Sequence, residues 1–167
     1  MKIEAIALLV LTFAVLPALA ETGAPSTEQM IQQLKAPRMR NLVVNEVAEA
    51  KAPTVRASLT MLIQFGFNSA KVLPESESAL AGLSVALQSA ELVAAKFAVE
   101  GHTDAKGHSE VNRKLSLQRA LAVRDFLRDK GVDEERLVVV GKGASELALN
   151  DQPFAAQNRR VRIVNLD

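Results

Sequence analysis

The chain of 167 residues has no cysteine, no tryptophan and no tyrosine, and its aromatics are six phenylalanines. Without cysteine it has no disulfides, no thiolate metal sites, no cysteine nucleophile and no lipidated N-terminal cysteine. So few rings leave no stacking platform of the kind that holds single-stranded nucleic acid. An excess of one charge is also missing. Twenty Lys and Arg stand against 19 Asp and Glu, for a net charge of +1, so no general attraction to nucleic acid or acidic membrane is expected. Histidine occurs twice. What is abundant is apolar content, 49% of residues, which suits one compact domain with short appendages. No internal repeat is present.

Residues 1–20 read as a secretory signal peptide. Lys2 supplies a basic start, weakened by Glu4. Residues 5–16 are apolar except for Thr12, Pro17 then breaks the run, and Ala18-Leu19-Ala20 forms a small-residue cleavage site. The apolar core is shorter than the about 20 residues of a membrane span. Cleavage after Ala20 and release of residues 21–167 as an exported protein is expected; the alternative is an uncleaved N-terminal anchor. Residues 21–57 read as a tether. "ETGAPSTEQ" is polar and turn-rich, Thr27 is placed to cap a short helix "EQMIQQLKA" ending before Pro37, and residues 42–44 form a candidate edge strand. A stretch of this length is too short for a β-barrel.

From Ser58 to Asp167 the pattern alternates between strands and helices. "SLTMLIQFGF" places Leu59, Met61, Ile63, Phe65 and Phe67 at spacing two, as a half-buried strand requires. Pro74 opens a helix with Glu75 and Glu77 at its positive end and Leu80, Leu83 and Leu87 as its buried stripe. "KFAVEG" is a second strand. A long helix over 109–130 follows, with Leu115, Val123, Phe126 and Leu127 as core candidates and Gly131 as its terminator. "RLVVVGKG" and "RRVRIVNL" complete four strands; in the last, Val161 and Ile163 share one face and Arg160 and Arg162 the other. The expected fold is an α/β (α+β) two-layer sandwich, a four-stranded mixed sheet with two long helices on one face.

Chemistry concentrates in "VEGHTDAKGHSEVNRKLSLQRA", residues 99–120. Its Ser, His and Asp include the types of a nucleophilic triad, but the serines fall in or at the start of a helix and no Gly-x-Ser-x-Gly elbow is present. His102, Asp104 and His108 are metal-ligand types, yet no H-E-x-x-H or H-x-H pair accompanies them. No cofactor motif is found. A binding site fits better. On a helix, Asn112, Ser116 and Arg119 fall at i, i+4 and i+7, one polar stripe beside the helix start. The "TDAKG" turn brings Asp104 towards that stripe. A carboxylate and a guanidinium a few ångströms apart complement a zwitterion, the Asp meeting an ammonium and the Arg a carboxylate. The other reading is a plain Asp104–Arg119 ion pair, which at a half-exposed site contributes only about 0–1 kcal/mol.

The same segment resembles the OmpA-like peptidoglycan-binding domain, a family that includes the C-terminal domain of outer membrane protein A, the peptidoglycan-associated lipoprotein and the periplasmic domain of the flagellar stator protein MotB. The likeness rests on Gly101-His102-Thr103-Asp104, Gly107, Asn112, Leu115-Ser116, Arg119-Ala120, Val123 and Leu127, on "FGFNSAKVLPES", and on Asn158-Arg159-Arg160-Val161. It implies a noncatalytic domain, with no cofactor, that grips the meso-diaminopimelate residue of the peptidoglycan stem peptide in the periplasm. Asp104 and Arg119 match the family's key pair, Asn112 another polar position, and Phe67, Asn68 and Thr103 positions that line or support the pocket. The alternative is a periplasmic scaffold that holds envelope proteins or a second copy of itself. Three departures stand out: Gly66 where many members have Asp, "GKGASELAL" without a proline, and no disulfide in the loop that follows.

Overall fold

The computed structural model describes residues 24–35, 56–66 and 68–167. The expected signal peptide, the 42–44 run and Phe67 lie outside them. Among the described residues the elements are α1 (Thr27–Leu34), β1 (Ser58–Met61), α2 (Pro74–Leu87), β2 (Phe97–His102), α3 (Ser109–Asp129), β3 (Leu137–Gly143) and β4 (Val161–Asn165). Short 3-10 turns at Glu134–Arg136 and Ala156–Asn158 precede β3 and β4.

The strands order as β1-β4-β2-β3. β2 and β3 are parallel, as a helical crossover through α3 requires, and β4 runs antiparallel to both β1 and β2. The result is the mixed sheet and two-layer α+β architecture expected from the pattern. Spacing two decides the faces. Leu59, Ile163 and Val99 are register neighbours across three strands and all are buried in the core. Thr60, Arg162 and Glu100 occupy the next register row on the opposite face. α2 presents Leu80, Leu83 and Leu87 to the core, each fully buried, and Pro74 stands in its first turn. α3 ends at Asp129 with Lys130 as its cap residue, after which Gly131 takes a left-handed φ of +93° and Val132 N–H reaches back to the Leu127 carbonyl at 3.0 Å.

Three local expectations are corrected. The first strand ends at Met61 instead of running on to Phe67. Burial still alternates through Ile63, but the backbone then turns: Leu73 N–H donates to the Gln64 carbonyl, Gly66 N–H to the Lys71 carbonyl, and Phe65 forms an isolated bridge with Val72. Gly66 therefore sits in a turn, not on a sheet face. Secondly, the cap of α1 is Ser26, which exchanges hydrogen bonds with Gln29 in a capping box; Thr27 is the first helical residue. This helix, inside the segment read as a tether, buries Met30 and Leu34 in the main core, and Asn165 donates to the Leu34 carbonyl at 2.9 Å. Each buried side chain contributes about 1.5–3 kcal/mol. Thirdly, the buried stripe of α3 is Asn112, Ser116, Ala120, Val123 and Leu127, with Leu115 and Phe126 only half-buried.

The composition of that stripe follows from how closely α3 approaches the sheet. A Cβ at Gly141 would stand 2.7 Å from Leu117 Cβ and 2.8 Å from the Arg113 carbonyl, and one at Gly101 would overlap the Ser116 carbonyl. Backbone meets backbone there, so the facing helix positions must be small or must bond to main chain. Ser116 does so: its hydroxyl donates to the Arg113 carbonyl at 2.8 Å and accepts from Gly143 N–H at 2.8 Å.

Candidate functional site

The turn after β2 carries Asp104. Thr103 N–H donates to the Gly143 carbonyl and Ala105 N–H to the Pro153 carbonyl, each at 2.9 Å, which pins the turn between β3 and the loop before β4. Asn112, buried at the first turn of α3, donates to the Asp104 carbonyl at 3.3 Å and to the Lys106 carbonyl at 3.0 Å. One Asp104 oxygen accepts from Lys106 N–H at 3.1 Å. The other accepts from the Arg159 guanidinium at 2.8 Å. The acid is thus built into its turn and paired, with a partner 55 positions along the chain.

Arg119 emerges from the middle of α3. Its Nε donates to the Ser69 carbonyl at 3.1 Å, and its guanidinium carbon lies 4.9 Å from the centre of the Phe65 ring. Among the described residues its two terminal amino groups have no hydrogen-bond partner. Burial lowers its pKa from the ordinary arginine value, the neighbouring Arg159 cation lowers it further, and the Asp104 carboxylate opposes both. An arginine keeps its charge under such shifts, so the site holds a half-buried, immobilised cation. Arg119 and Arg159 line one cavity of about 420 Å³ together with Gln64, Phe65, Gln157 and three apolar residues. Asp104 is not among the lining residues.

The expected site residues divide accordingly. Arg119 lines the cavity. Asp104 is paired with Arg159, and its charge also acts on Arg119. Asn112 faces inward and fastens the Asp104 turn. Thr103 is buried, and its hydroxyl has no partner among the described residues. Asn68 is exposed with a left-handed φ of +46° in the turn that delivers the Ser69 carbonyl to Arg119. Phe67 lies outside the described residues. Phe65, Gln64, Gln157 and Arg159 were not expected as site residues. Arg159 stood in the quoted Asn158-Arg159-Arg160-Val161 run, and nothing in the run marked it as different from Arg160. Asn158 sets that position: buried, it accepts from Ala148 and Leu149 N–H and donates to the Gln152 carbonyl at 2.8 Å.

The histidines do other work. His108 is the exposed N-cap residue of α3. His102 is buried on the far face of the sheet, 3.8 Å from Glu100, and among the described residues neither ring nitrogen has a hydrogen-bond partner. Among the described residues no three His, Asp or Glu side chains gather as a metal site.

A sequence model of the OmpA family matches residues 64–162, more than half of the chain. Over 93 residues the chain is 34% identical to Outer membrane protein A of Serratia marcescens, covering 56% of this chain and 26% of that protein. It is 35% identical over 104 residues to the peptidoglycan-binding protein ArfA of Mycobacterium bovis, covering 61% of this chain and 31% of that one. The crystal structure of the peptidoglycan-associated lipoprotein from Burkholderia pseudomallei superposes with a TM-score of 0.54 at 29% identity, over 66% of this chain and 89% of that one. The chain spans less than two thirds of the length of the curated relatives it matches.

Proposed function

The chain belongs to the OmpA family, and on that premise we propose that it is a noncatalytic peptidoglycan-binding protein of the cell envelope, working in the periplasm. Its target on this reading is the meso-diaminopimelate residue of the stem peptide. The free amino-acid end of that residue is a zwitterion, with its carboxylate forked onto Arg119 and its ammonium set against Asp104.

The observation that carries this reading is the state of Arg119. Its Nε and guanidinium face are spent on Ser69 and Phe65, which fix the plane of the guanidinium, while among the described residues its terminal amino groups have no hydrogen-bond partner. A held guanidinium with free donors is a carboxylate receptor. Of the segment's two serines, Ser116 is unsuited to act as a nucleophile: it is buried, and its hydroxyl is committed to two main-chain groups. The adaptor reading has less to draw on, because the apolar face of α1 is spent on the core.

The strength of the grip is modest. Charge-assisted hydrogen bonds contribute about 1.5–3 kcal/mol each, and three or four of them must offset an association cost of at least about 4 kcal/mol. An isolated stem peptide then binds in the micromolar range or weaker, and retention on the polymeric wall is stronger through rebinding or avidity. Pulldown with purified sacculi tests the site: Asp104→Ala and Arg119→Ala are expected to be lost from the wall fraction. Undiminished retention of both variants refutes it, and soluble fragments released from the sacculi refute the noncatalytic assignment.

A further inference from the structure

The sheet ends at β3. Among the described residues β3 pairs with β2 alone, and no other hydrogen bond reaches the main chain of residues 138–141. An edge strand turns half of its N–H and C=O groups away from its sheet, and native proteins commonly blunt such an edge with a lysine, a proline or a covering loop. Residues 137–141 are Leu-Val-Val-Val-Gly, with neither charge nor proline. Lys142, at the end of the run, is drawn to Glu146 at 2.7 Å and Glu100 at 3.7 Å. Apolar side chains flank the edge on both faces. Val138 is 48% exposed on the face away from the core, and Leu117 of α3, 40% exposed, lies over Gly141 on the other.

Two ions mark opposite ends of this edge, and among the described residues neither side chain has an ion-pair or hydrogen-bond partner. Glu135 is exposed in the turn that leads into β3. Arg113 is exposed on α3, its main-chain nitrogen 3.1 Å from where a Cβ on Gly143 would stand. A two-fold axis at Val139 would pair the regular part of β3 with itself in antiparallel fashion. Val139 then faces Val139 of the second copy, Val138 faces Val140, and Leu137 faces Gly141, every pair joining residues of one sheet face. Glu135 falls opposite Gly143 of the second copy, and so beside its Arg113. Arg113, Val140, Gly141 and Lys142 also wall a cavity of about 520 Å³ between α3 and β3, which leaves room for the incoming acid. Shifting the register shortens the ladder and separates Glu135 from Arg113.

We infer that the β3 edge is an isologous interface through which two copies of this chain join their sheets, held by the main-chain ladder, by Val138 against Val140 of the second copy, and by two Arg113–Glu135 pairs. A second copy suits the edge because the edge itself supplies both members of each ion pair. The interface shares no residue with the Arg119 cavity, so each copy keeps its own and the pair meets the wall with two. One ladder is smaller than a standard interface, and a dissociation constant on the order of 100 µM is expected.

Sedimentation equilibrium of the full chain, across concentrations on both sides of about 100 µM, is expected to show a reversible dimer. Glu135→Arg sets like charges against each other at both ends and should weaken it about tenfold or more; Glu135→Arg combined with Arg113→Glu should restore it. Both positions are exposed, so the folded monomer is retained. The absence of cysteine allows a second test that fixes the register. Directly opposed Cα atoms lie about 4.5–5.5 Å apart, within disulfide reach, whereas diagonal neighbours are about 7–8 Å apart. A mixture of differently tagged Val138→Cys and Val140→Cys chains should therefore form the mixed disulfide at least about tenfold faster than either variant forms its own. A chain that stays monomeric throughout, a dimer of unchanged strength in Glu135→Arg, or equal rates for the three disulfides overturns the inference.

Discussion

Glycine-to-alanine changes at two positions should move stability in opposite directions, and the sign is set by the space above each Cα. Gly82 lies inside α2, where an added Cβ would meet Met30 at 3.6 Å and Thr27 at 3.8 Å, both ordinary contacts with side-chain ends. Alanine there gains helix propensity, so Gly82→Ala is expected to raise stability by about 0.5–1 kcal/mol. At Gly141 in β3 the same methyl group would stand 2.7 Å from Leu117 Cβ and 2.8 Å from both the Arg113 carbonyl and Leu117 N. Comfortable carbon separations are about 3.5–4.0 Å, so α3 must retreat by roughly 1 Å. Two of the three obstructing atoms are helix backbone and cannot swing aside. Overpacking of this kind costs about 1–3 kcal/mol. The retreat also stretches the buried Ser116–Gly143 hydrogen bond, a further loss of about 1–3 kcal/mol. The combined expectation is about 2–6 kcal/mol, a large share of the 5–15 kcal/mol typical of a domain. Urea unfolding of both variants, followed by far-UV circular dichroism, reads the two signs directly. A Gly141→Ala midpoint equal to or above wild type would show that helix and strand do not meet backbone to backbone, and the account of why Asn112 and Ser116 are buried would fall with it.

Two further outcomes are expected. Asn112→Ala removes both side-chain donors to the Asp104 and Lys106 carbonyls and should cost about 1–3 kcal/mol; amide hydrogen exchange across residues 104–108 is expected to accelerate, and unchanged exchange would refute the fastening role. Glu100 has its carboxyl pKa held below the ordinary value by His102 first, then by Lys142 and Arg162, against the opposing effect of burial. The folded protein therefore binds that proton less readily than the unfolded chain. The stabilisation is complete above the unfolded pKa of about 4.3 and is lost as pH falls through the lower folded value. Wild type should exceed Glu100→Gln in urea midpoint at pH 7, and the gap should shrink at pH 3; a gap of the same size at both would refute the assignment.

Features set by neighbours in sequence were legible without the structure. The alternation of β4, the leucine stripe and Pro74 start of α2, and the termination of α3 at Gly131 each depend on residues within a turn or two of one another. The polar half of α3 was harder to read, because Asn112 and Ser116 look like a solvent-facing or ligand-facing stripe when the helix is considered alone. They are buried because three glycines on neighbouring strands, Gly101, Gly141 and Gly143, let main chain approach main chain, and a polar side chain is then needed to satisfy it. The clue was present as glycines in β2 and β3 opposite a Ser and an Ala four apart on the crossover helix, but it becomes informative only once those strands are known to be adjacent.

The partner of Asp104 was less accessible still. Helical spacing can say which residues share a face with Arg119; it carries no information about a loop that arrives from another part of the chain. Here the arrival is set by two main-chain events, the Ala105–Pro153 hydrogen bond and the Asn158 side chain folding the 148–152 loop onto itself. Together they place Arg159, which follows the Ala156–Asn158 turn, against the acid. A sequence reading that begins from a clamp of one acid and one base finds both groups and assigns them to each other. The fold instead pairs the acid with a second arginine and holds Arg119 against the Ser69 carbonyl and the Phe65 ring.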